Sequence, residues 1–257
     1  MLESINKIRL TEAKEEYENN GFTLLDSILL TEPLSKISAA IKDLSASNNI
    51  DSYKDRNGLV RRMENFTYKN KVLGELNEEV RELLHYLTNE VQVLFKDKVN
   101  FKPPKGEGFF AHYDGVFQFK NSVGDIRNGW YEYANDYNNI LITLDEFTNE
   151  NGPLEVANSH VGNFDQLLKN TNCDGTPNLK TEVEDRCNFT PMICGAGSII
   201  IFKHSCPHRS SVNNSQKERG SLYLTYTPSG NEKIYEQYFK DKTDSQNKNK
   251  ALTGSLK

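Results

Sequence analysis

A chain of 257 residues holds one large domain or two small ones. Its 36 acidic and 31 basic residues leave a net charge of −5, with no basic stripe and no zinc-finger spacing, which argues against a nucleic-acid partner. No apolar run approaches the ~20 residues of a membrane span. Met1 to Leu10 lacks the apolar core of a signal peptide, and Cys173, Cys187, Cys194 and Cys206 form no Cys-x-x-Cys pair. The reading is a cytoplasmic protein with reduced thiols, monomeric or homodimeric.

Glu12 to Asn20 predicts a polar helix stopped by Gly21, and Phe22 to Leu25 a short strand. Thr31 is placed to cap a second helix, with Pro33 in its first turn and Leu34, Ile37, Ile41 and Leu44 along one face. Ser45 to Gly58 reads as a polar loop. Leu59 to Phe66 follows, where Arg61 and Arg62 beside an apolar pair are candidates for lining a pocket. Glu75 to Leu94 predicts the longest helix, with a stripe of Leu76, Val80, Leu83, Leu84, Leu87, Val91 and Leu94. Residues 1–98 thus read as a mainly helical layer.

From Val99 the pattern changes to short strands between turns: Phe109 to Asp114, Ile140 to Leu144, Leu154 to Val156, Thr190 to Cys194, Ser198 to Phe202 and Ser221 to Thr227. This predicts a mainly β jelly roll over 99–230 with helices packed on one face. The segment from Val116 to Asp136 reads as a loop over a site, with Arg127, Trp130, Tyr131 and Tyr133 in it and Tyr137 beside it. Trp130 and Tyr133 are candidates for the substrate wall. Gly162 to Asn188 has no clear period, and 240–257 reads as a polar tail. The whole of 1–257 is taken as one domain.

The chemistry concentrates at His112-Tyr113-Asp114. In an extended strand, side chains two apart share a face, so an imidazole and a carboxylate meet one pocket. One more histidine completes a facial triad for divalent iron with open positions. His204 and His208 have the outer spacing of His-Glu-x-x-His, but Ser205 replaces the glutamate and Pro207 forbids a helix interior. His208 is the candidate third ligand and His204 its rival, while His160 ends a turn in a structural role. Eleven residues after His208 stands Arg219, with Ser221 two further on. A guanidinium fork beside a mononuclear iron suits the distal carboxylate of 2-oxoglutarate, leaving a position for O2.

The run His208, Ser210, Asn213, Ser215, Arg219 resembles the His-x-Ser-x-x-Asn-x-Ser-x-x-x-Arg motif of the phytanoyl-CoA dioxygenase-type oxygenases, which include ectoine and aminophosphonate hydroxylases. The Lys-Pro-rich turn from Lys102 to Asp114 and the turn Glu150-Asn151-Gly152-Pro153-Leu154 are similar to that family's, although Asn158 stands where glycine is usual. The resemblance covers about Leu59 to Pro228. It implies a double-stranded β-helix, iron(II) on His112, Asp114 and His208, and 2-oxoglutarate anchored by Arg219 with Ser221. Lys102 adds a charge to the cosubstrate or steadies its own turn. The implied activity is hydroxylation of a small charged or zwitterionic metabolite; the alternatives are acyl-CoA hydroxylation and a jelly-roll metal-binding or sensing module without turnover.

Overall fold

The computed structural model describes residues 7–47, 50–121, 124–228 and 230–254, with the backbone alone from 245 onward. Parts of the stretches read above, residues 1–6 and 255–257 among them, lie outside the described residues.

Helix α1 (Lys7–Asn20) ends at Gly21, whose φ of 85° continues no helix. Strand β1 (Phe22–Leu25) follows as predicted. In α2 (Thr31–Ser45) the cap position falls to Leu30, so Thr31 is the first helical residue and caps nothing. The predicted loop contains strand β2 (Asp51–Lys54), wholly exposed and therefore without the apolar alternation that marks a strand, paired with β3 (Val60–Glu64).

The long helix is shorter and earlier than its stripe suggested. In α3 (Lys71–Thr88) the Asn70 side chain accepts from the Val72 and Leu73 amides, and Asn89, left-handed at φ 58°, closes the helix. Val91 and Leu94 continue the helical spacing by accident. Leu94 already belongs to β4 (Val93–Lys102), so the boundary expected at 98/99 falls inside a strand.

Strands β5 (Phe109–His112), β6 (Phe119–Lys120), β7 (Ile126–Arg127), β8 (Asn138–Thr143), β9 (Leu154–Val156), β10 (Thr190–Pro191), β11 (Ile199–Lys203), β12 (His208–Ser210) and β13 (Arg219–Thr227) complete the β framework. Gly162 to Asn188 contains two short helices, α4 (Phe164–Leu168) and α5 (Thr181–Glu184). The tail read as polar continues α6 (Ile234–Gly254), held at its start by Ile234, Tyr235, Tyr238 and Phe239 in the core. No helix among the described residues is long and apolar enough to cross a membrane.

Two antiparallel sheets face each other, in the orders β1-β11-β8-β13-β4-β3-β2 and β10-β9-β12-β5. This is the jelly roll. The outer face of the larger sheet buries Phe95, Val99, Ile140, Ile142, Leu222 and Leu224 under the helices. Its inner face packs Leu141, Ile200 and Phe202 against Leu154 and Val156 of the smaller sheet. The register sets what else faces inward. Arg219 stands opposite Lys102, Ser221 opposite Asn100, Tyr223 opposite Lys98 and Thr225 opposite Lys96. Paired residues share a face, so the inner face of β4 carries Lys96, Lys98, Asn100 and Lys102.

Candidate metal centre

His112 ends β5 and His208 begins β12, and the two are direct cross-strand partners with ring centroids 4.2 Å apart. Asp114 follows two residues later. Its Oδ1 lies 3.8 Å from His112 Nε2 and its Oδ2 lies 3.6 Å from His208 Nε2. The ligand atoms of all three lie within 4.8 Å of one another. Each imidazole uses Nδ1 on a backbone carbonyl two residues back, Phe110 O at 2.7 Å and Cys206 O at 3.1 Å. That bond fixes the ring so that Nε2 points to the shared site, the usual support of a metal-bound histidine. Burial, with His112 beside it, pushes the His208 imidazole down to about 3, and burial lowers His112 as well, so both rings are neutral and able to ligate. Burial works to raise the Asp114 carboxyl, but Lys98 and the two imidazoles outweigh it and hold it well below the usual carboxylate range. Two neutral imidazoles and one ionised carboxylate on one face fit iron(II).

Tyr113 points away, as the alternation requires, and bonds His160 Nδ1. His204 is turned elsewhere too: its Nδ1 meets Tyr131 Oη at 2.7 Å and its Nε2 stands 3.4 Å from Asp136.

The motif residues between His208 and Arg219 each have a physical task. Ser210 Oγ accepts from Lys102 Nζ at 2.8 Å. Asn213 is fully buried and donates to the Lys102 and Lys217 carbonyls, at 3.0 and 2.8 Å, while its Oδ1 receives Ser215. The loop is thereby folded back so that Arg219 enters the inner face of β13. Arg219 lies over the Phe147 ring at 4.2 Å and donates Nε to Asn151 O and Nη2 to Gly152 O, which leaves Nη1 for a carboxylate. Lys102 Nζ also reaches Gly152 O, at 3.4 Å, and Ser211 O, at 2.6 Å. Gly152 sits at φ 66°, and a Cβ there would stand 2.3 Å from Ser211 O, so the turn that feeds both cations requires glycine. Ser221 lies two residues along the same face. Guanidinium, ammonium and hydroxyl at one end of the inner face fit the distal carboxylate of 2-oxoglutarate.

The substrate candidates are less gathered. Arg61 faces outward onto Asp55 and Glu218. Arg62 turns inward to Glu64. Trp130 packs on Phe95 and Tyr137, and its face is covered by the Lys96 ammonium at 4.0 Å. Tyr133 donates its hydroxyl to Asp241 of α6 at 3.0 Å. Sequence reasoning passed over Lys96 and Lys98. Their signal is the alternation Lys-Asp-Lys-Val-Asn-Phe-Lys over 96–102, legible only once the buried face of β4 is known.

A sequence model of the phytanoyl-CoA dioxygenase (PhyH) family matches residues 17–221. The chain is 26% identical over 245 residues to a 2-aminoethylphosphonate dioxygenase of uncultured bacterium HF130_AEPn_1, covering 91% of this chain and 87% of that one. It is 30% identical over 160 residues to a methylphosphonate hydroxylase of Gimesia maris, covering 62% of this chain and 54% of that one. The fold matches the crystal structure of EctD from S. alaskensis with a TM-score of 0.65 at 16% identity, covering 87% of this chain and 77% of that chain. The chain belongs to the phytanoyl-CoA dioxygenase family and is an iron(II)- and 2-oxoglutarate-dependent dioxygenase.

Proposed function

We propose that this dioxygenase hydroxylates a small phosphonate, a charged or zwitterionic molecule without a long acyl chain. His112, Asp114 and His208 hold iron, Arg219 with Ser221 receives the distal carboxylate of 2-oxoglutarate, and Lys102 braces the turn beneath it. The observation that carries the reading is the buried triad, with both Nδ1 atoms tied back and both Nε2 atoms directed at one carboxylate. The names of the two relatives supply the substrate class, since both act on a phosphonate. Its four free thiols suit a cytoplasmic protein.

Iron(II) and 2-oxoglutarate supply the oxidising power when bound, 2-oxoglutarate giving succinate and CO2 as one atom of O2 enters succinate and the other the hydroxylated product. The chain supplies position and a dry site. The two sheets bury Asp114 and His208, so two of the three ligands are shielded from bulk water while His112 is partly exposed. Arg219 is fixed by two carbonyls and a ring before any ligand arrives, so little side-chain entropy is lost on binding. The Tyr137 hydroxyl donates to Asp114 O at 2.7 Å and holds the backbone of the third ligand in place.

The test is succinate release from 2-oxoglutarate with iron(II) and a panel of small phosphonates, amino acids, betaines and acyl-CoA esters. Turnover is expected with a phosphonate. Robust turnover of an acyl-CoA with no response to any small charged compound would overturn the proposal.

A further inference from the structure

The inner face of β4 carries more basic side chains than the metal and cosubstrate readings use. Lys96 is 3% exposed. Its ammonium lies 4.0 Å from the Trp130 ring centroid and 5.7 Å from that of Tyr238. Lys98 lies two residues on, its ammonium 4.4 Å over Tyr223. Neither ammonium has a hydrogen bond or an ion pair among the described residues. Glu64, which acts on both lysines, is fully buried and already shared by Arg62 and Lys242. Two donors in this part of the molecule are buried without an acceptor among the described residues, Arg62 Nε and Asn139 Nδ2. Asn139 stands on β8 opposite Thr225, which stands opposite Lys96. Arg62 stands on β3 opposite Asn100, beside Lys98.

Buried donors are nearly always satisfied, and each one left over costs roughly 1–3 kcal/mol. Here the buried donors left over are Arg62 Nε and Asn139 Nδ2, on the same face of the sheet as the ammoniums of Lys96 and Lys98. Lys98 and Lys96 both act on the Asp114 carboxylate, so this group of donors borders the triad. In the register, Tyr223 opposite Lys98 is four residues from Arg219, a separation of roughly 13 Å at about 3.3 Å per residue. The donors therefore form a second cationic end, apart from the one that fits 2-oxoglutarate.

We infer that Lys96 and Lys98, with Arg62 Nε and Asn139 Nδ2, form the subsite that takes the anionic phosphonate group of the substrate. This rests on the dioxygenase reading above and adds residues to it. A phosphonate presents three oxygens and up to two negative charges, which matches several donors and two ammonium groups better than a two-oxygen carboxylate does. The aromatic faces do not hold a substrate ammonium, because Lys96 already covers Trp130 and Tyr238. Recognition at this end reads the anion and is indifferent to an amine. That agrees with relatives named for a phosphonate with an amine and one without.

The experiment uses protein loaded anaerobically with iron(II) and 2-oxoglutarate, titrated calorimetrically with methylphosphonate and with 2-aminoethylphosphonate. The 2-oxoglutarate affinity is read separately from its visible charge-transfer band. Wild type is expected to bind both phosphonates within about tenfold of each other, since the amine adds little. Lys96→Met is expected to weaken both at least about tenfold, to shift 2-oxoglutarate affinity less than about threefold, and to be partly rescued by Lys96→Arg. Glu64 keeps Arg62 and Lys242 in that variant, and circular dichroism checks that it folds. Lys98→Met is expected to weaken both phosphonates similarly. Unchanged phosphonate affinity in a Lys96→Met protein that still binds 2-oxoglutarate overturns the subsite, as does binding of 2-aminoethylphosphonate alone.

The dioxygenase reading fails separately. If phosphonates bind in a Lys96-dependent way but no small charged compound elicits succinate, the subsite stands and the proposed reaction falls. If succinate forms with an uncharged substrate and no phosphonate binds, the subsite falls and the reaction chemistry stands.

Discussion

Arg219 and Lys102 stand at one end of the inner face of the large sheet, Lys96 and Lys98 at the other, and the two ends treat their charges differently. At the first, guanidinium and ammonium are tied to the carbonyls of Asn151, Gly152 and Ser211 before any ligand arrives. At the second, both ammoniums lie over aromatic rings and have no hydrogen-bond partner among the described residues. A cosubstrate common to every turnover suits a clamp that is rigid in advance. A substrate subsite keeps its donors free for one shape of anion. Lys98 and Lys96 act on Asp114 of the triad, and each of the predictions that follow breaks one side of this contrast or leaves it intact.

The largest effect falls on the triad itself. His208→Ala is expected to abolish iron binding and reduce turnover to background, while His204→Ala keeps most turnover and loses about 1 kcal/mol of stability with its Tyr131 bond. Iron content, succinate release and circular dichroism on both variants check it. An iron-free but folded His204→Ala beside a normal His208→Ala would exchange their roles. Next comes the clamp. Arg219→Ala is expected to weaken 2-oxoglutarate by roughly two to three orders of magnitude, because removing one partner of a buried charge pair costs roughly 3–5 kcal/mol. Iron affinity should change far less. Unaltered 2-oxoglutarate affinity in the folded variant would mean that Arg219 serves only the Asn151–Gly152 turn.

The contrast also explains what was legible beforehand. His112, Asp114, His208 and Arg219 could be read because their spacing is chemistry in one dimension: two apart in a strand, then a fixed loop returning to the sheet. The jelly roll was legible from short strands between turns. Strand β4 was not, because Val91 and Leu94 extend the stripe of α3 and only the left-handed Asn89 breaks it. Strand β2 was hidden for the opposite reason, being exposed on every residue. Lys96 and Lys98 were passed over because lysine in a strand ordinarily faces water. Which face of β4 turns inward depends on its pairing with β13, a relation more than 100 residues long in sequence.

A smaller effect concerns pH at the clamp. Burial, with Arg219 nearby, pushes the Lys102 ammonium down to about 7, against about 10.4 for a free lysine. Between those values the unfolded chain holds the proton more tightly than the folded one. The Lys102 contribution to stability therefore rises with pH from about 7 upward, is complete above the unfolded value, and is lost as pH falls through about 7. Denaturant titrations of wild type and Lys102→Met from pH 6 to 9 are expected to show this slope in wild type and a shallower one in the variant. Parallel curves would mean that the Ser210 and Ser211 bonds hold the lysine charged throughout.

The smallest effect tests the wall of the second end. Tyr133 was a sequence candidate for touching substrate, yet its hydroxyl donates to Asp241 and its ring packs on Phe95 and Tyr238. Tyr238 is one of the two rings around Lys96. Tyr133 thus packs behind the subsite without touching it, and its hydroxyl ties α6 to the loop that carries Trp130. Tyr133→Phe keeps the ring and deletes one hydrogen bond to a charged group, which is worth roughly 1.5–3 kcal/mol in such cases and less where, as here, water reaches the pair. The expected result is a stability loss of about 1 kcal/mol with KM for the phosphonate unchanged. Thermal denaturation and steady-state kinetics on the same preparation separate the two. A raised KM at unaltered stability would put the Tyr133 hydroxyl on the substrate and move the boundary of the anion subsite into the loop.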